Sequence, residues 1–398
     1  MSNITNAGVV NTTSSGVATK KVLEPSPWAR ADRKRTPYVQ HRFELNRASV
    51  DVVRSTSWSF GFGSFSEIVF HDNYSRKKKD GTLEDWPDTI IRVVNGCITY
   101  RKDWFMKHRL KWDEAKWQEI GEEMALAFLT LRCGPPGRGY FACGTDFVAE
   151  RGGMALYNCS ASKVLPETFD RDLGWITDVL IHGVGVGIEC VSRPYKLKRP
   201  DGTPVVYIIP DTKEGWIESV EVLARSYVRD GSAPVDFDYS EIRPEGAELK
   251  TFGGTCPGPE PLRKLHERLR MTFDRYCLCE ISPVRLVADS GNMIGCCIES
   301  GGVRRSAELM IGDPEDKEFW ELKNYDLYPE REAWGWVSNN SVRLREARHF
   351  QLLPEIANRI CRNGEPGIYN LISTQRFGRF GREEHDPADL ANPCQPAW

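Results

Sequence analysis

Apolar residues along the chain recur at two alternating periods. Trp117, Ile120, Met124, Phe128 and Leu131 fall three and four apart, one face of an amphipathic helix, and Gly134-Pro135-Pro136-Gly137 ends it. Leu173, Ile176, Val179 and Leu180 repeat that spacing and predict a second helix, stopped by Gly183-Val184-Gly185-Val186-Gly187 and followed by an apolar strand at 188–191. Residues 205–209 read as a strand, and Asp211-Thr212-Lys213-Glu214 has the form of a capping box opening a helix whose Trp216, Val220, Leu223 and Tyr227 share one face. Val235, Phe237 and Tyr239 alternate as a strand, Leu262, Leu265, Leu269, Phe273 and Tyr276 are helical again, and a further helix follows Pro283. A short strand follows Ser306, an aromatic strand precedes Ser338, and a turn at 363–367 separates a helix ending near Arg362 from a strand at 368–371. From about residue 112 onward helices and short buried strands therefore alternate, the pattern of an α/β protein with a mainly parallel sheet. The first residues, rich in Ser, Thr, Asn, Gly and Val, have no such period and bury too little to fold alone. The pattern divides the chain into a low-complexity tail and linker (1–50), a mainly helical region (51–132) and an α/β region (133–398).

Composition adds bounds. With 398 residues, 40% of them hydrophobic, and 53 basic against 56 acidic side chains, the chain is large enough for a substantial core. Its net charge of −3 gives no reason to expect a nucleic-acid or membrane partner held by long-range electrostatics. No run of eighteen apolar residues and no secretion-type leader stand out, so a cytoplasmic location is expected. Twelve cysteines are spread through apolar segments. Cys277-Leu278-Cys279 and Cys296-Cys297 lack a second Cys or His pair at zinc-site distance, and no metal site is expected from them.

Two thiols have neighbours that suggest chemistry. Proline fixes its own φ and drives the residue before it toward extended geometry, so Asn392-Pro393 should present Cys394 on a stiff loop outside any helix; a buried structural cysteine is the alternative. Cys159, in Tyr157-Asn158-Cys159-Ser160, reads as a thiol at a strand end or as a strand cysteine packed on helices. The alternate glycines from Gly183 to Gly187 allow close backbone approach. They do not form a dinucleotide fingerprint, because they follow a helix and enter a strand, the reverse of the required order. Phe252-Gly253-Gly254-Thr255 is a loop able to turn backbone N–H groups toward an anion or a base. Gly301-Gly302-Val303-Arg304-Arg305-Ser306 suits a loop contacting phosphate or base edges, with a charged surface turn as the alternative.

Taken in order, these motifs together with Pro210-Asp211-Thr212, Ile242-Arg243-Pro244, Ala307-Glu308-Leu309, Ser338-Asn339-Asn340-Ser341-Val342 and Asn363-Gly364-Glu365-Pro366-Gly367 closely resemble a ribonucleotide reductase catalytic subunit. The similarity is best to the adenosylcobalamin-dependent, monomeric ribonucleoside-triphosphate reductases and covers about residues 65 to 394. The resemblance implies the N-terminal half of a ten-stranded α/β barrel, with a finger loop whose tip is Cys394. In that family the matching cysteine becomes a thiyl radical that takes the ribose 3′-hydrogen, and the residue matching Asn392 steadies the sugar hydroxyls. Cys159 matches one of two cysteines that supply the reducing electrons, become a disulfide and are reset by a thioredoxin-like reductant. The resemblance further implies adenosylcobalamin as radical source, a ribonucleotide substrate, and a deoxynucleotide effector acting through Gly301, Gly302, Arg304, Arg305 and Ser306.

The chain departs from that pattern in three places. A glutamate expected two residues beyond the radical cysteine is replaced by Pro396, which has no proton to exchange. The second half-barrel, the partner of Cys159 and the C-terminal shuttle cysteines lie beyond Trp398, so a separate C-terminal half is an expected partner; Cys394-Gln395-Pro396-Ala397-Trp398 is compatible with an intein start, a truncation or a frameshift. The segment between Val191 and Pro210 looks shorter than the insertion that forms an effector site in monomeric relatives. A reductase that takes its radical from a di-metal subunit, and a catalytically inactive nucleotide-binding remnant, are the alternative readings.

Overall fold

The computed structural model describes residues 9–10, 21–30, 37–61, 63–247, 255–300, 307–378 and 386–394. The chain divides into two compact units, one made of residues 35–158 and one of 1–34 with 159–398.

The first unit is helical: α1 (Arg47–Ser55), α2 (Ser64–Asn73), α3 (Trp86–Lys107), α4 (Glu114–Leu129), α5 (Gly137–Ala142) and α6 (Asp146–Arg151). The central α3 starts at a reciprocal cap, with the Asp85 carboxylate accepting from Asp88 N–H at 2.7 Å and the Asp88 carboxylate from Asp85 N–H at 3.4 Å. Its Trp86, Ile90, Val93, Val94 and Ile98 bury against Ala125, Phe128 and Leu129 of α4 and against Phe43 and Leu45. Leu131, expected on the α4 face, lies past the helix end with φ +55° and is exposed. The unit's boundaries differ from the 51–132 span suggested by periodicity because Phe43 and Leu45, which precede any helical repeat, are core residues.

The second unit holds β1 (Val9–Val10), β2 (Val22–Leu23), β3 (Cys159–Lys163), β4 (Gly185–Cys190), β5 (Val205–Ile208), β6 (Val235–Asp238), β7 (Glu308–Gly312), β8 (Ser338–Leu344) and β9 (Gly367–Asn370). Its helices are α7 (Phe169–Ile181), α8 (Lys213–Val228), α9 (Glu260–Cys277), α10 (Pro283–Glu299), α11 (Lys317–Trp320), α12 (Leu353–Asn363) and α13 (Leu371–Phe377). The larger sheet has the order β3-β4-β7-β8-β9 and every neighbouring pair is parallel. A smaller sheet, β1-β2-β5-β6, draws β2 from the stretch expected to be a tail, with Val22 opposite Val206. Two residues of strand carry too short a period to stand out in the sequence.

Parallel strands need both faces covered, and the central β4 and β7 are buried at every residue. Val186, Ile188 and Cys190 of β4 and Met310 of β7 are buried on the side of α10, where Gly291 lets the strand side chains of Ile188 and Met310 come close. Behind the sheet the buried charges are paired: Arg285 donates to Asp289 at 3.1 Å, Arg331 pairs with the same carboxylate, and Asn292 bridges Arg331 at 3.2 Å and Glu308 at 2.9 Å.

Two local expectations change. The cap of α8 is Thr212, whose hydroxyl accepts from Gly215 N–H at 2.8 Å; Asp211 instead pairs with Arg243 at 2.8 Å, so the two motifs join across the chain. The aromatic stretch before Ser338 forms two 3₁₀ turns, Pro329–Ala333 and Gly335–Val337, and not a strand. Glycine and the Trp334 indole, which donates to Asp289 at 3.0 Å, favour the turn there.

Candidate active site around Cys394

The site is built on the face of the large sheet opposite α10. Cα register puts Cys159 beside Gly185, and Ala161 beside Gly187, which in turn neighbours Leu309. Gly185 and Gly187 are two apart on β4, so both look onto the same face. A Cβ on Gly187 would overlap the Ala391 carbonyl, and one on Gly185 would come within 3.3 Å of both Pro393 and the Cys159 sulfur. The glycine run is thus a floor cleared for the 391–394 segment.

Several contacts fasten that segment. Ala391 and Leu390 pack into an apolar cluster with Leu309, Ile311, Tyr369 and Leu371. Asp389 is held through its main-chain carbonyl at 2.9 Å and its carboxylate at 2.8 Å by Arg343, and it also pairs with Lys163. Arg343 is 1% exposed and donates its other terminal nitrogen to Glu189 at 2.6 Å; Glu189 in turn accepts from Arg193 at 2.9 Å. Burial pushes the Glu189 carboxyl upward, but the hydrogen bonds from Arg193 and Arg343 outweigh it and hold the group below the usual carboxylate range. Asp389 is lowered likewise: burial opposes ionisation, and Lys163 with Arg343 more than offsets it. Upstream, the Gln375 amide of α13 donates to the Ala388 carbonyl at 2.9 Å.

At the tip, the Asn392 side-chain oxygen accepts from Cys394 N–H at 2.9 Å, a side-chain turn that fixes the thiol relative to the loop. Cys394 and Cys159, 235 residues apart in sequence, are joined as a disulfide with Cα atoms 6.7 Å apart. The sequence put the partner of Cys159 beyond the chain's last residue; in the structure its partner is Cys394. Asn392 is half-buried and Cys394 exposed.

Of the residues singled out in the sequence, Cys159, Asn392 and Cys394 come together here. Gly253, Gly254, Gly301, Gly302, Arg304, Arg305, Ser306 and Pro396 lie outside the described residues. Glu189, Arg343, Asp389 and Lys163 carried no motif. The available signal was a single charge in a buried strand, Glu189 in the otherwise apolar β4 and Arg343 in β8, where a charge persists only if it is paired.

Two family models match the chain: a ribonucleotide reductase alpha domain over residues 45–145 and a B12-dependent ribonucleotide reductase insertion domain over residues 188–270. The protein is 34% identical over 377 residues to a probable adenosylcobalamin-dependent ribonucleoside-triphosphate reductase of Dictyostelium discoideum, covering 88% of this chain and 49% of that protein. It is 36% identical over 365 residues to the adenosylcobalamin-dependent ribonucleoside-triphosphate reductase of Euglena gracilis, covering 89% of this chain and 49% of the relative. The chain is therefore similar to ribonucleotide reductases in both sequence and fold. Its fold matches the crystal structure of a B12-dependent (class II) ribonucleotide reductase with a TM-score of 0.76 at 25% identity, over 88% of this chain and 56% of the other. The chain spans about half the length of the curated relatives it matches. Its insertion-domain match continues to residue 270, so the segment between Val191 and Pro210 that looked too short is the opening of a longer matching stretch containing β5, α8, β6 and part of α9. Among the described residues no helix is long and apolar enough to cross a membrane.

Proposed function

We propose that this chain contributes the thiol-bearing face of an adenosylcobalamin-dependent ribonucleoside-triphosphate reductase, which turns ribonucleotides into 2′-deoxyribonucleotides for DNA synthesis. The supporting observation is the meeting of Cys394 and Cys159 over the cleared floor of Gly185 and Gly187. The Cys394 sulfur takes the ribose 3′-hydrogen and later returns it. The Asn392 oxygen already accepts from Cys394 N–H, which turns its NH₂ group to the role of donor toward a sugar hydroxyl. The 2′-hydroxyl leaves as water, and two thiols, that of Cys159 among them, lose one hydrogen each and become a disulfide. One ribonucleotide and two thiols thus give one deoxyribonucleotide, one disulfide and one water. The Cys159–Cys394 disulfide is a state from which a thioredoxin-like dithiol must release both sulfurs before turnover.

Cys394 is exposed, which suits the approach of another molecule, and a corrin carries its own cobalt ligands, so no cluster of protein ligands is required. Adenosylcobalamin, when bound, supplies the radical equivalent. The deoxynucleotide effector is assigned to the loop holding Gly301, Gly302, Arg304, Arg305 and Ser306, with Gly253 and Gly254 contacting nucleotide.

The test combines the chain with the complementary half of a related reductase, a ribonucleoside triphosphate, adenosylcobalamin and a dithiol, and measures deoxynucleotide by chromatography. Product is expected, and C394S should reduce it to background. Nucleotide binding with no product under any of these conditions would favour the inactive-remnant reading, and product only with a di-metal radical subunit would favour that class of reductase.

A further inference from the structure

A second pair of thiols lies in the helical unit. Cys97 sits on α3 and Cys143 at the C-terminal cap of α5, and their sulfurs are 3.7 Å apart. The approach is built into the backbone: a Cβ on Gly96 would run into the backbone of Gly144 and stand 2.9 Å from the Cys143 sulfur, and Gly144 has a φ of +77° that side chains rarely adopt. Two glycines therefore hold the neighbouring residues at a separation any other pair would widen. Arg92 fixes the same turn by donating to the Cys143 carbonyl at 2.5 Å and the Tyr140 carbonyl at 2.9 Å.

We propose that Cys97 and Cys143 form an oxidisable dithiol, which a hydroperoxide converts to a disulfide clamping α3 to the turn after α5. The two sulfurs are unequal. Cys97 is half-buried, whereas Cys143 is 4% exposed and lies within 3.6 Å of the Val93 carbonyl. The hydrogen bond from Cys143 lowers the Cys97 thiol below its ordinary range, against the opposing effect of burial; the same bond, reinforced by burial, raises Cys143. The thiolate is the nucleophile, so Cys97 attacks and Cys143 resolves. In the first step the Cys97 sulfur bonds to one peroxide oxygen as the O–O bond breaks, giving a sulfenic acid and one water. In the second the Cys143 sulfur attacks that sulfur and expels a second water. Two thiols are oxidised, one hydrogen peroxide is reduced, and the sulfurs close from 3.7 Å to the usual disulfide length of about 2.05 Å. The proposal does not depend on the reductase reading, because both thiols lie in residues 35–158.

Reduced full-length chain is titrated with hydrogen peroxide, alkylated, digested without reductant and mapped by mass spectrometry. Cys97 and Cys143 should disappear together into one cross-linked peptide at about tenfold less peroxide than the exposed Cys133 and Cys361 require. In C143S the reaction should stop at a Cys97 sulfenic acid that dimedone traps, and in C97S Cys143 should stay reduced at that dose. Since C97S changes the half-buried member, it keeps the test sound even where loss of the buried thiol impairs folding. Oxidation of Cys97 no sooner than Cys133, accumulation of Cys97 sulfinic acid without the cross-linked peptide, or unchanged Cys143 oxidation in C97S would each overturn the proposal.

Discussion

Glycine at 187 shows how one missing atom positions a reactive one. A methyl group there would occupy the Ala391 carbonyl, and the loop, tied at Asp389, has nowhere to retreat except outward. G187A is expected to cost about 1–3 kcal/mol, the usual range for overpacking, and to slow formation of the Cys159–Cys394 disulfide at least tenfold in the reduced chain. Denaturant titration and timed alkylation read the two effects; an unchanged disulfide rate would disconnect the glycine floor from the thiol. A second residue gives a pH signature. His266 is fully buried, stacked 4.0 Å over Phe237 and bonded to Ser219 at 2.9 Å and Tyr239 at 2.8 Å. Burial, with Arg270 and Arg263 adding repulsion, brings it down to about 3. A depressed histidine binds its proton only on unfolding, so its contribution is complete above pH 6.5 and is lost as pH falls toward 3. Between pH 7.5 and 5 the loss is about 2 kcal/mol, and H266N should show a shallower fall in urea stability by that amount. The sequence showed that alternate glycines permit close approach, yet not what approaches, because the answer lies some two hundred residues away and leaves no local period.

At the scale of elements, the thiol segment is held by β8 through Arg343 as much as by its own turn. Removing that guanidinium leaves Glu189 buried, with Arg193 as its remaining cation, and frees Asp389 from one of its two partners. Breaking a buried pair from one side typically costs about 3–5 kcal/mol. R343Q is therefore expected to lower stability by that order and to speed alkylation of reduced Cys394 severalfold, because the loop gains freedom. R343K keeps the charge but not the forked geometry that spans Asp389 and Glu189 together, so it should restore stability in part and the alkylation rate hardly at all. Equal alkylation rates in both variants and the parent would mean that Arg343 supports the sheet only. The helices behind this sheet were legible from their three- and four-residue spacing, and so was the alternation with buried strands. The strand order, the Thr212 cap and the 3₁₀ turns before β8 were not, since they depend on partners such as Gly215 N–H and Asp289 that the period does not encode.

For the whole molecule, the alternation of helix and strand specified an α/β protein with a parallel sheet, and family motifs spaced along it pointed to the candidate site. Periodicity had no means of showing that the chain separates at residues 34/35 and 158/159, because the core of the helical unit takes Phe43 and Leu45 from a stretch without repeat. That division makes a thermodynamic prediction. The Cys159–Cys394 disulfide encloses 235 residues of separation, all within the α/β unit, and closing a loop of that size removes unfolded-state entropy worth about 5 kcal/mol in the chain-entropy model. The helical unit lies outside that loop and has a hydrophobic core of its own. Urea unfolding followed by hydrogen exchange should therefore resolve two sets of amides. Reduction, or the C159S/C394S pair of substitutions, should lower the midpoint of the α/β set while residues 35–158 keep theirs. If both sets fell together, the two units would be one cooperative structure, and the thiol site could not be opened by a reductant without loosening the entire chain.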